Sequence, residues 1–153
     1  MRKVYWVGGN RHVRRAKIED ANRIYELNKA SLGYDYPAEK TRARLETVIG
    51  LPEHRIYVAE YDGIVVGYIH GSDYECTYSG PTKNILALAV DERYRGRGVG
   101  RDLLSEMEDW AKQDHAEGVR LTSGITRVDA HKFYLHCGYI DRKDQKNFVK
   151  YLT

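Results

Sequence analysis

The sequence is poor in the features that would direct a chain to a membrane, a secretory route or a metal ion. It has only two cysteines, Cys76 and Cys137, whose spacing fits no metal-ligand motif, and no secretory pattern precedes them. Both are read as reduced thiols, which points to a cytoplasmic protein with no metal centre. No apolar run approaches the length of a bilayer span, so no membrane association is expected. Charge is not extreme either: the formal net charge is +3, and the arginines cluster instead of forming a long basic stripe. That pattern weighs against nucleic acid and towards a small anionic ligand. Internal repeats, low-complexity tracts and linkers after residue 12 are all lacking.

What is present describes one ordinary domain. A length of 153 residues suffices for one real core and not for two. Residues 1–12 read as an N-terminal leader and 13–153 as the domain. Val13 to Lys17 reads as a first strand. A helix follows, with Asp20 as its N-cap and Ile24, Leu27 and Ser31 on one face. Pro37 suits the first turn of a second helix, which Gly50 and Pro52 end. Arg55 to Tyr61 and Ile64 to His70 form a hairpin around Asp62-Gly63. Asp73 to Thr82 is a polar loop, Leu86 to Val90 a buried strand, and Val99 to about His115 a helix with an apolar stripe. Val119 to Thr122, a short helix from Asp129 to His136 and a strand from Asn147 to Leu152 complete the order. The class is α/β (α+β), with a mixed, mostly antiparallel sheet and helices on both faces. Thirteen tyrosines are a high count, read mainly as amphipathic packing.

The informative stretch is Leu86 to Arg101, LALAVDERYRGRGVGR. Glycines at 96, 98 and 100 strip side chains from a loop and let its N–H groups converge. The positive end of the following helix faces the same point, and Arg95, Arg97 and Arg101 add charge. The result is a cradle for a phosphate or pyrophosphate. It is not a P-loop, because no Gly-Lys-Ser/Thr exists in the chain. It is not a dinucleotide fingerprint, because G-x-G-x-x-G started at Gly96 ends on Arg101 and started at Gly98 ends on Leu103. The register that remains is R-x-x-G-x-G, on Arg95, Gly98 and Gly100.

That register, after an apolar strand, resembles the acetyl-CoA signature of the GNAT N-acetyltransferase superfamily. A second stretch, Ala130 to Tyr139, resembles the family's late motif A-x-x-F-Y-x-x-x-G-[FY], with Phe133, Tyr134 and Gly138 in place. Thr122 to His131 is similar to the branch holding aminoglycoside 6′-N-acetyltransferases and aminoalkylphosphonate N-acetyltransferases. The resemblance covers roughly Val13 to Leu152 and is most specific from Leu86 to Gly138. It implies a GNAT-like fold and acetyl-CoA as co-substrate, with the pyrophosphate on Arg95, Gly96, Arg97, Gly98, Val99, Gly100 and Arg101. The backbone of Leu88, Ala89 and Val90 would meet the pantetheine arm, and the Val90 amide would polarise the thioester carbonyl. Tyr134 would be the catalytic acid that protonates the leaving thiolate, since a phenol near pKa 10 holds its proton at neutral pH.

Two departures from the family pattern stand out. Arg127 occupies a position where many members have asparagine, and reads equally as a phosphate-side contact or a solvated arginine. No carboxylate occurs from Lys83 to Val90, where relatives often carry a glutamate base. Asp73, Glu75 and His70 are the candidates instead, unless a water serves or the amine arrives neutral. The acceptor pocket would come from Leu32 to Pro37 and from Asp73 to Thr82. Tyr34, Tyr36, Asp73 and Glu75 there suit a small cationic amine. Protein or peptide acetylation, and CoA binding without turnover on a GNAT-like fold, are the alternatives. The family also admits a homodimer.

Overall fold

The structure, a computed structural model, describes residues 10–153. Residues 1–9 of the leader therefore lie outside the described residues, while Arg11 and His12, read as leader, belong to the first strand. The chain divides into two compact units, one running to Leu121 and the other Thr122–Thr153.

The first unit is built on a five-stranded sheet in the order β1-β2-β3-β4-β5. The strands are β1 (Arg11–Arg15), β2 (His54–Tyr61), β3 (Ile64–Tyr74), β4 (Thr82–Val90) and β5 (Gly118–Leu121). Every pairing is antiparallel except β4 with β5, which is the mixed, mostly antiparallel sheet the element order predicts. Asp62 and Gly63 turn the β2–β3 hairpin with φ of 49° and 81°, the left-handed pair that a two-residue turn requires. β1 begins at Arg11 and ends at Arg15, two residues earlier than its apolar pattern suggests. Its register is set by pairing Arg11 with Tyr61 and Arg15 with Tyr57. β3 runs to Tyr74 and β4 starts at Thr82 because these ends pair with each other, Asp73 with Lys83 and Tyr74 with Thr82. The polar loop shrinks accordingly to residues 75–81.

One face of the sheet carries α1 (Ala21–Leu27) and α2 (Ala38–Ile49). Ala21, Ile24, Leu27, Leu45 and Val48 bury against Ile56, Val58, Tyr68 and Ala89 there. Asp20 is not the side-chain cap of α1. It is buried, it accepts the Lys17 amide at 2.7 Å, and it accepts from both terminal guanidinium nitrogens of Arg14. A wide π-helical turn (Asn28–Leu32) extends α1 and stops at Gly33, φ 76°.

The other face carries α3 (Val99–Gln113). Its stripe of Val99, Leu103, Leu104, Met107, Trp110 and Ala111 is buried, as the sequence periodicity predicts. Each large side chain of that stripe stabilises the fold by ~1.5–3 kcal/mol. Glycines on β3 let the helix approach. A Cβ at Gly67 would lie 3.0 Å from the Ala89 carbonyl and 3.1 Å from Val99, and one at Gly71 would overlap the Met107 thioether. Lys83, buried beside them, lays its ammonium 3.8 Å over the Trp110 ring and bonds Asp73 and Asp114.

The second unit contains α4 (Val128–His136). Gly138 at φ 91° closes it, with Tyr139 N–H returning to the Tyr134 carbonyl at 3.0 Å, a Schellman-type ending. The strand expected over Asn147–Leu152 is absent. Residues 139–153 contain no helix or strand, and Phe148, Val149, Tyr151 and Leu152 are all exposed. Apolar alternation alone does not make a strand, because its N–H and C=O groups need a ladder partner.

Candidate functional site

The glycine loop takes the shape its composition demands. Gly96 and Gly98 both adopt left-handed backbone, φ 75° and 80°, a conformation costly for any residue with a Cβ. Gly98 is the N-cap of α3 and has no side chain to cap with. The first intrahelical bond is Asp102 N–H to the Gly98 carbonyl at 3.0 Å. The amides of Val99, Gly100 and Arg101 precede it and have no helical acceptor. These three N–H groups lie at the positive end of a fifteen-residue helix, an arrangement of the kind that suits an anion. The residues present therefore fit a pyrophosphate.

The arginines divide their work. Arg97 and Arg101 are exposed, with the Arg97 guanidinium 5.3 Å over the Tyr94 ring. Arg95 turns back on the strand instead: its Nε donates to the Val90 carbonyl at 3.2 Å and an Nη to Ser31 Oγ at 3.3 Å. Ser31 itself donates to the same carbonyl at 3.1 Å. Asp91 caps the turn that leads into the loop, accepting from the Arg93 amide at 3.0 Å. Hydrogen bonds from Arg93, and then from Arg23, hold its carboxyl well below the usual range.

Next to the loop, β4 has an open edge. β5 pairs only with Thr82–Ile85, so no strand pairs with Leu86–Val90 on that side among the described residues. Asp91 N–H donates to the Val66 carbonyl at 2.7 Å. Antiparallel alternation then turns the backbone groups of Ala89 and Ala87 to β3, and those of Leu88 and Val90 to the open edge. A one-residue bulge at Leu86, between the His70–Ala87 and Gly71–Ile85 pairs, bends the strand at the start of that edge.

The remaining candidates lie on other elements. Asp73 Oδ1 is 2.5 Å from Lys83 Nζ, and Asp73, Glu75, Lys83 and Asp114 line one cleft at the Thr82 end of β4. Tyr34 and Tyr36 are exposed between the first two helices, where Asp35 accepts a hydrogen bond from Tyr25 at 2.9 Å. His70 Nε2 lies 2.9 Å from His54 Nδ1. Burial first, and then His54, push His70 down to about 4, so it is neutral at pH 7. In the second unit Tyr134 packs edge-on to Phe133 and Tyr139, with ring centroids 5.3 and 5.8 Å away. Burial pushes its phenol up, against the nearby charge of Arg127. Arg127 is exposed at the start of α4. Ser31, Arg11 and Asp102 were not marked by the motifs. Their partners are distant in sequence, and no local pattern announces them.

Residues 21–139 match the family described as "Acetyltransferase (GNAT) family". An uncharacterised N-acetyltransferase of Methanocaldococcus jannaschii is 30% identical over 135 residues, 86% of this chain and 79% of its own. The aminoalkylphosphonate N-acetyltransferase of Salmonella typhimurium is 33% identical over 132 residues, 83% of each chain. The aminoglycoside N-acetyltransferase AAC(6')-Iy, solved in complex with CoA, superposes with a TM-score of 0.84 at 16% identity, covering 96% of this chain and 99% of that one. No described helix is long and apolar enough to cross a membrane. With the glycine loop and the late tyrosine motif inside the matched span, the chain belongs to the acetyltransferase (GNAT) family and is an acetyl-CoA-dependent N-acetyltransferase.

Proposed function

We propose that this enzyme moves an acetyl group directly from acetyl-CoA to the nitrogen of a small cationic primary amine, with no covalent enzyme stage. The observation that carries the reading is the left-handed Gly96–Gly98 loop and its free helix amides, set beside the open edge of β4. Acetyl-CoA supplies the acetyl group already activated as a thioester. Residues Gly96 to Arg101 hold its pyrophosphate through backbone N–H groups and the charges of Arg97 and Arg101, while Arg95, whose amide donates to the Glu92 carbonyl and whose side chain bonds Val90 and Ser31, braces the strand end. The edge amides of Leu88 and Val90 receive the pantetheine arm as an added strand, with Ala89 between them. The amine attacks the thioester carbon in its neutral form, its ammonium proton having passed to water, and the Val90 N–H polarises the carbonyl. As the C–S bond breaks, Tyr134 protonates the departing thiolate and is restored by the proton that the acylated nitrogen releases.

The amine side rests on composition and on relatives. Asp73 and Glu75 give the cleft at the Thr82 end of β4 its acidic wall, with Lys83 offsetting Asp73. About 25 Å of strand separates that cleft from Val90, so the two carboxylates meet the far, non-reacting end of an extended amine. Tyr34 and Tyr36 add exposed aromatic surface, suited to an ammonium. The Salmonella relative is named for an aminoalkylphosphonate and AAC(6')-Iy for an aminoglycoside, both small amines.

Calorimetric titration of CoA tests the cradle, with the double variant Gly98→Glu, Gly100→Glu as control. Saturable binding to the wild type, lost in a folded variant, is expected. A panel of aminoalkylphosphonates, aminoglycosides and peptides, followed by thiol release, then assigns the amine. Failure of well-folded wild-type protein to bind CoA overturns the reading. Unchanged kinetics in Asp73→Asn, Glu75→Gln on a good amine removes those two residues from the substrate site.

A further inference from the structure

We infer that Arg11, at the start of β1, is a positioning residue that keeps the glycine loop receptive to an anion; the inference rests on the proposed role of that loop. Arg11 is far from the loop in sequence and inside it in space. Its side chain is 1% exposed, rare for an arginine unless paired. One guanidinium nitrogen donates to the Arg97 carbonyl at 2.8 Å, and another to the Asp102 carboxylate.

Each contact answers a separate difficulty. A loop that binds pyrophosphate through N–H groups must keep its carbonyls turned away, because an oxygen aimed into the cradle repels the ligand. Arg97 lies between the two left-handed glycines, where the backbone has the most freedom to rotate. The Arg11 donor ties its carbonyl to the β1 side. The second difficulty is Asp102, the acidic residue in the first turn of α3. Its carboxylate is attracted by the same helix end that attracts the ligand. Unpaired, it competes with the pyrophosphate and repels it. Paired with a buried guanidinium, it does neither. Burial pushes Asp102 up and Arg11 opposes that, while burial lowers Arg11 itself, as expected of a pair withdrawn from water.

The role separates from simple bracing of β1 on α3 by charge rescue. CoA binding is measured by calorimetry, and melting temperature with it, for wild type, Arg11→Met, Asp102→Asn and the double variant. Arg11→Met is expected to bind CoA at least tenfold more weakly. The double variant is expected to recover at least half of that loss on a logarithmic scale, since the stranded carboxylate is gone. Asp102→Asn alone is expected to stay within threefold of wild type, with the Arg97 tether intact. In turnover, Arg11→Met raises KM for acetyl-CoA and leaves kcat within threefold. Should Arg11→Met not fold, Arg11→Lys carries the test: it keeps the charge without the two-pronged fork, and threefold to tenfold weaker binding at an unchanged melting temperature is expected. Wild-type-like CoA affinity in the folded Arg11 variant, or a double variant no better than Arg11→Met, overturns the inference. Absence of CoA binding by the wild type overturns the proposed function itself, a distinct outcome.

Discussion

Tyr134 illustrates what one side chain contributes to the proposed reaction. Its neighbours Phe133 and Tyr139 hold the ring edge-on, and burial raises its phenol, so the proton is kept through the neutral range. Tyr134→Phe removes the proton and keeps the ring. A fall in kcat of roughly 10²-fold, the low end for a general acid, with KM for acetyl-CoA within twofold, is expected from steady-state kinetics. An unaltered kcat assigns Tyr134 to packing. At this scale the motif residues were readable, because loop glycines and a late tyrosine recur at fixed spacing. The partners were not. That Arg95 turns to the Val90 carbonyl, or that Asp73 meets Lys83, depends on contacts between separate elements. Asp20 shows the limit well: it sits where an N-cap belongs, yet two arginine nitrogens claim its carboxylate.

Among elements, α3 packs tightly on β3 at two glycines. Gly67 faces a backbone oxygen, the Ala89 carbonyl at 3.0 Å, which cannot swing aside. Gly67→Ala is therefore expected to destabilise by ~1–3 kcal/mol, the range for an overpacked core. Gly71 faces the flexible Met107 thioether instead, so Gly71→Ala is expected to cost less. Urea unfolding of the two variants decides, and an equal or reversed ranking contradicts this account of the packing. The apolar stripe of α3 and the Asp62-Gly63 hairpin were legible because periodicity and turn chemistry are local. The reach of β3 to Tyr74 was not, because it is set by pairing with Thr82. The strand expected over Asn147–Leu152 failed for the same reason in reverse: the alternation is there and the described residues provide no ladder for it.

For the molecule as a whole, the buried His70 sets a pH dependence. Its ordinary pKa of 6.5 falls to about 4 on folding. Below pH 6.5 the unfolded chain gains a proton that the folded chain refuses until about pH 4. The associated stability is thus complete above pH 6.5 and lost as pH falls through 4, at most about 3 kcal/mol at ~1.4 kcal/mol per unit. Asp91, held low by Arg93 and Arg23, adds a second loss at still lower pH. Urea midpoints are expected to fall between pH 6.5 and 4 in the wild type and to flatten there in His70→Gln. A wild-type midpoint constant over that range argues against a neutral, buried His70. The open edge from Leu86 to Val90 bears on handling as much as on catalysis. An uncovered strand edge is a template on which another chain can pair. Stored without its co-substrate, the protein carries a nucleus for self-association along β4. CoA would then act as a preservative, slowing the loss of soluble protein at high concentration by covering a stretch of backbone that otherwise invites a stranger.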